Sequence, residues 1–114
     1  MGEQSKAENA ASVYLRKSGF QVLSRNRRVD NVEIDILAKR TQKNISHIYF
    51  IEVKQVREKN YRKGFPPFSQ KQRARYNHSI RYLYATNGRS FPCHISLIVF
   101  NENIQCLDFF SDYC

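Results

Sequence analysis

At 114 residues the chain has room for one domain with one core and not for two ordinary ones. An apolar content of 41%, with 13% aromatic residues, excludes a disordered tail. A formal charge of +9 and a pI near 9.7 point to a polyanionic partner, nucleic acid ahead of an anionic membrane.

No apolar stretch approaches the roughly 20 residues that span a bilayer. The start, Met1-Gly2-Glu3-Gln4-Ser5-Lys6, lacks the basic-then-apolar order of a signal peptide. Lys6 stands where myristoylation requires a hydroxyl, and a cytoplasmic protein is expected. Cys93, Cys106 and Cys114 are odd in number and widely spaced, and His47, His78 and His94 have no ligand spacing with them. Reduced thiols and ordinary histidines are therefore expected, not a disulfide framework or a zinc site.

Ser5 can cap a first helix running to about Lys17, with Gly19 as its stop. Ala7, Ala10, Ala11, Tyr14 and Leu15 recur at helical spacing and form its buried face. Phe20-Gln21-Val22-Leu23 reads as a first strand, Arg25-Asn26-Arg27-Arg28 with Asp30-Asn31 as a basic turn, and Val32 to Ala38 as a second strand. Arg40 to Ser46 is polar and reads as a hairpin loop before a third strand, from His47 to about Val56. Arg57 to Ser69 is basic, and Gly64, Pro66 and Pro67 argue against regular structure there. A second helix is expected from Gln70 to about Tyr84, with Tyr76, Ile80, Leu83 and Tyr84 on one face and Asn87-Gly88 ending it. Cys93 to Phe100 is almost continuously apolar, as in a strand buried on both faces. Asn101-Glu102-Asn103 is a turn, and Ile104 to Phe110 a last strand. The order α-β-β-β-α-β-β describes an α/β domain over residues 1–114, a mixed sheet flanked by helices.

The candidate chemistry begins at Glu52-Val53-Lys54. Extended backbone sends Glu52 and Lys54 to the same side, roughly 6.6 Å apart. Ile48 and Phe50 precede them on that face, so it starts apolar and ends charged. The pair reads either as a strand-end ion pair worth little, or as groups at the edge of an apolar region that bind a metal. Upstream, Val32, Ile34, Ile36 and Ala38 face one way, leaving Glu33 and Asp35 with Leu37 on the other. That second face is either solvated or acidic for a reason. Ser5-Lys6-Ala7-Glu8 fits a capping box, and the residues alone favour the cap over an acid overlooking the sheet. From Lys54 to Arg75 eight Lys or Arg face one acid, Glu58, with Tyr61, Phe65 and Phe68 interspersed. Such a stretch grips phosphates and offers rings to unpaired bases, or is simply a solvated loop.

Taken together, Glu8-Asn9-Ala10-Ala11-Ser12-Val13-Tyr14-Leu15 with Gly19-Phe20, Glu33-Ile34-Asp35 and Phe50-Ile51-Glu52-Val53-Lys54 resemble the YraN-like family of uncharacterised bacterial proteins. That family belongs to the restriction-endonuclease-like PD-(D/E)XK superfamily and is similar to archaeal Holliday junction resolvases. Leu23-Ser24-Arg25-Asn26-Arg27 and Lys71 fit as well, and the similarity runs from about Gly2 to Tyr84. The resemblance implies an α-β-β-β-α-β core and a Mg²⁺ (or Mn²⁺) site with Asp35 and Glu52 as ligands. It also implies Glu8 as a third catalytic acid, Lys54 orienting or deprotonating the attacking water, and Lys71 on a phosphate. Two positions depart from the pattern: Val32 stands where a glycine is usual, and His94-Ile95-Ser96 where Arg-Phe-Asp is frequent.

The expected function is a magnesium-dependent endonuclease acting on DNA, with branched or repair intermediates as substrates. Arg25, Arg27, Arg57, Lys59, Arg62, Lys63 and Arg75 join Lys71 as candidate nucleic-acid contacts. Junction resolution would call for a homodimer. The rival readings are a module that binds DNA without cleaving it and an RNA-binding protein, both compatible with the charge.

Overall fold

Alternating apolar side chains lay down one sheet with the order β1-β2-β3-β4-β5. Strands β1 (Gln21–Val29), β2 (Val32–Gln42) and β3 (Ile45–Gln55) form an antiparallel meander. Strand β4 (Cys93–Phe100) lies parallel to β3, and β5 (Cys106–Ser111) closes the far edge antiparallel to β4. A parallel neighbour needs a crossover. A short 3₁₀ turn at Glu58–Asn60, within the stretch expected to lack regular structure, and helix α2 (Gln70–Asn87) supply it. Helix α1 (Glu3–Lys17) precedes the sheet. This computed structural model describes residues 3–87 and 91–111. The Met1-Gly2 start, Gly88 of the expected helix stop and the thiol of Cys114 lie outside the described residues.

The helices cover opposite faces of the sheet. Ala7, Ala11 and Leu15 of α1 meet Ile36, Ala38, Tyr49, Ile51, Val53 and Ile98, and the alanines let the helix lie close. Tyr76 and Ile80 of α2 meet Ile34, Leu37, Phe50, Ile95, Leu97 and Val99 on the other side. Each large apolar side chain so buried contributes about 1.5–3 kcal/mol. Helix α1 stops where Gly19 adopts φ 90°, with the Phe20 N–H closing back on the Leu15 carbonyl at 2.9 Å. Among the described residues no helix is long and apolar enough to cross a membrane.

The element order agrees with the sequence, but several boundaries do not. Arg25-Asn26-Arg27-Arg28, expected in a turn, continues β1, pairing Arg25 with Ile36, Arg27 with Ile34 and Arg28 with Glu33. The turn is only Asp30-Asn31, at φ 50° and 68°, a left-handed pair suited to Asp and Asn in a two-residue hairpin. A basic run is tolerated here because β1 is an edge strand, where charge blunts pairing with other chains. Likewise Lys43 and Asn44, at φ 51° and 66°, make the whole β2–β3 turn, so the strands run through the expected Arg40–Ser46 loop. Helix α2 continues to Asn87, and α1 starts at Glu3, so Ser5 lies inside the helix and does not begin it. Strand β5 starts at Cys106 and not Ile104, because Ile104 sits at φ 60° in a turn organised by buried Asn101, whose side chain accepts from the Asn103 and Gln105 N–H groups at 2.9 Å.

Contrary to simple alternation, Val32, Ile34, Ile36 and Ala38 do not share a face: Val32 and Ile34 pack on the α2 side, Ile36 and Ala38 on the α1 side. The alternation breaks at Asp35. On one side lies Asn26 of β1, in a left-handed backbone at φ 54°; on the other, the β2–β3 pairs stop at Ile36 with Ile51.

Candidate metal centre where β2 and β3 part

Beyond Ile36 the two strands are joined by a side chain. The Val53 N–H donates to the Asp35 carboxylate at 2.9 Å. This turns the Asp35 carboxyl toward β3, where the Glu52 charge acts on it. Glu52 is oriented from α2: its Oε1 accepts from the Tyr76 hydroxyl at 2.8 Å and its Oε2 from Gln72 Nε2 at 3.3 Å. The same Tyr76 hydroxyl accepts from the Asp35 N–H at 3.4 Å, so one buried phenol spans both acidic positions. Lys54 Nζ stands 3.5 Å from Glu52 Oε2 with a third of its side chain exposed. The structure thus brings Asp35, Glu52 and Lys54 together.

The electrostatics follow from this packing. Burial, then the facing Glu52 charge, pushes the Asp35 carboxyl from 3.8 up to about 7; the Val53 N–H pulls the other way, and Glu8 adds a smaller upward push. Burial and the same two carboxylates hold the Tyr76 hydroxyl well above its ordinary value, so it acts as a donor. Two carboxyl groups this close cannot both ionise without a nearby positive charge. The donor set suits Mg²⁺ or Mn²⁺: hard oxygens from two protein carboxylates, with Glu52 on the wall of an open cleft where such an ion would keep its waters. Among the described residues no three His, Cys, Asp or Glu side chains gather as a metal cluster.

Glu8 reaches the sheet from α1, near enough for its charge to act on Asp35. It is 4% exposed, and because α1 already begins at Glu3, Ser5 does not stand at the helix start as the expected capping box requires. Its Oε1 accepts from Asn26 Nδ2 at 3.0 Å and faces the Arg25 guanidinium at 3.5 Å, while Arg25 also donates to Asn9 at 2.6 Å. The left-handed Asn26 within β1 is therefore also what holds Glu8 to the sheet. Arg25 ties α1 to β1 by the same contacts.

The remaining basic residues divide between two surfaces. Arg75 and Arg28 line an open cleft of about 480 Å³ together with Glu52, Gln72 and Tyr76, and Lys71 is exposed one turn earlier on α2. Arg57, Lys59, Arg62 and Lys63 are exposed on the crossover, which is pinned to β5 where Tyr61 donates to Asp108 at 2.6 Å and Gly64 at 3.2 Å. Of the three rings expected to face bases, only Phe65 is free to do so, 57% exposed beneath the Arg62 guanidinium at 4.2 Å. Phe68 is buried against Tyr76, and Tyr61 packs on the same core, because the crossover must cover the α2 face of the sheet. Arg27 is exposed on β1. His94 of the divergent His94-Ile95-Ser96 segment stacks on Tyr49 and shares a 2.8 Å hydrogen bond with His47, three residues along β4 from the Glu52 partner Leu97.

Sequence reasoning missed Arg28, Gln72 and the role of the Tyr76 hydroxyl. The one available signal was a tyrosine on the buried face of a helix, whose hydroxyl requires a partner.

A mixed sheet between two helices, with paired carboxylates where its second and third strands separate, defines an α/β protein with the core that the nuclease resemblance implied. The chain belongs to the uncharacterised protein family UPF0102, the YraN-like family, whose pattern matches residues 7–101, and the nuclease-like superfamily is consistent with that membership. It is 36% identical over 97 residues to a UPF0102 protein of Lachnoclostridium phytofermentans, covering 81% of this chain and 76% of that one. A UPF0102 protein of Chloroherpeton thalassium is 45% identical over 56 residues, covering 49% of this chain and 40% of its own length. That of Hahella chejuensis is 29% identical over 96 residues, covering 83% and 74%.

Proposed function

We propose that this protein is a magnesium-dependent endonuclease that hydrolyses phosphodiester bonds of DNA in the cytoplasm. The observation that supports this most is the convergence of Asp35 and Glu52, from two strands, beside the amine of Lys54. Asp35 and Glu52 would hold the ion through their carboxylate oxygens. Bound there, Mg²⁺ supplies charge neutralisation at the phosphate and an acidified water. Lys54 orients the attacking water, while Tyr76 and Gln72 keep Glu52 aimed at the cleft. Arg28 and Arg75, on the cleft wall, engage the flanking phosphates.

The test is a panel of labelled duplex, nicked, branched and single-stranded DNAs, with structured RNA alongside, incubated with Mg²⁺ or Mn²⁺ and in EDTA. Metal-dependent cleavage of DNA is the expected result; no cleavage of any member rejects the enzyme. The binding surface has its own readout. Replacing Lys59, Arg62 and Lys63 with alanine should flatten the slope of log affinity against log salt by about 2–3 on duplex DNA. An unchanged slope would show that the crossover does not touch the backbone.

One observation favours a second reading, a binding module without cleavage: Glu52 already has partners in Tyr76, Gln72 and Lys54, so the pair can stand without an ion. DNA binding with no magnesium affinity would select that reading.

A further inference from the structure

The cleft at Glu52 does not end at Arg28. Beyond that side chain a second hollow of about 470 Å³ runs between β1 and the later turns of α2, and Arg28 lines both. Arg27 joins Arg28 on its wall, and Leu23, Tyr82 and Phe91 supply apolar surface. Leu23 and Tyr82 are 46% and 43% exposed, which leaves a ring and an aliphatic side chain open to solvent beside two guanidinium groups. Asp30, the one acid among the described lining residues, is held by His78 at 2.5 Å and is outnumbered by Arg27 and Arg28, so the wall keeps its positive character.

Hollows of this volume take groups of small-molecule size. A nucleobase fits that description and a double helix does not. Cations for phosphates beside an exposed ring for a base are the two elements of a single-strand site, and the stacking is tolerant of sequence. In a paired segment the base faces are already covered by their neighbours. Charge and shape thus select an unpaired strand leaving the Glu52 cleft past Arg28.

Building on the nuclease reading, we propose that this hollow receives the unpaired strand of a DNA that has paired and unpaired segments side by side. The duplex phosphates lie along Arg28 and Arg75, and the first unpaired base lies on Tyr82 and Leu23. The preferred substrate is then a duplex bearing a single-stranded extension or flap.

Fluorescence anisotropy in EDTA tests this, with a labelled blunt duplex and the same duplex carrying a single-stranded extension at either end. Wild type should favour an extended DNA by about tenfold; Tyr82→Ala should lose most of that preference and keep its affinity for the blunt duplex, while Tyr82→Phe, which retains the ring, keeps both. Equal affinity of wild type for all three DNAs, or a Tyr82→Ala loss equal on blunt and extended DNA, overturns the proposal. Cleavage in Mg²⁺ separates the two readings. A blunt duplex cut without any preference for extensions sinks only the hollow, whereas extensions bound through Tyr82 but never cut sink only the nuclease.

Discussion

Asp35→Asn and Glu52→Gln should each lower magnesium-dependent DNA cleavage by about a thousandfold, the scale of removing a group that stabilises developing charge. Both substitutions are close in shape to the native residue. The amide oxygen that Asp35→Asn introduces can still accept from the Val53 N–H, and that of Glu52→Gln can still accept from Tyr76. The circular dichroism spectrum and the duplex affinity in EDTA should therefore be unchanged. The two losses should not add in the double variant, because either one dismantles the same ion site. Full activity of either single variant, in protein freed of contaminating nucleases, would remove the carboxylate pair from the chemistry.

The same aspartate should leave a mark on stability. Its carboxyl titrates near 7 in the folded chain against an ordinary 3.8, so the folded state keeps a proton that the unfolded chain releases. Its contribution to stability is therefore fully present below about pH 4, declines between about pH 4 and 7, and is lost above 7, where the ionised pair weighs against the fold. A displacement of that size would be worth about 4 kcal/mol in full. Partial exposure to solvent and the neighbouring ammonium of Lys54 reduce the expected effect to about 1–2 kcal/mol. Asp35→Asn should thus be more stable than wild type by that amount at pH 8 without metal, and equal to it near pH 4. Urea unfolding at the two pH values measures this directly. A variant less stable than wild type at pH 8 would mean that Asp35 is satisfied by its protein partners alone.

What could be read in the sequence was what depends on near neighbours. The alternation through Phe50 and Ile51 marked β3, Gly19 marked the helix stop, and Glu52 and Lys54 shared a side because extended backbone leaves no other choice. The length of β1 was hidden, because an edge strand bearing Arg25, Arg27 and Arg28 carries no apolar signature. Glu8 looked like a cap for a local reason, Ser5 three residues before it. Its burial is set by Asn26, 18 residues away and brought near only by the packing of α1 on the sheet. Tyr76 lies 41 residues from Asp35, and neither spacing nor composition links them. Phe68 looked like a stacking ring among basic residues and is instead core, since a crossover has to bury something as it returns across the sheet.

Calorimetric titration of Mg²⁺ and Mn²⁺ into wild type and Asp35→Asn at pH 8 tests the shared-ion centre most directly. Wild type should bind about one ion per chain between its two carboxylates, and the variant should bind at least about tenfold more weakly, as expected when a site loses one charged ligand. Identical binding isotherms for the two proteins, or no heat from either, would contradict a metal held by Asp35 and Glu52.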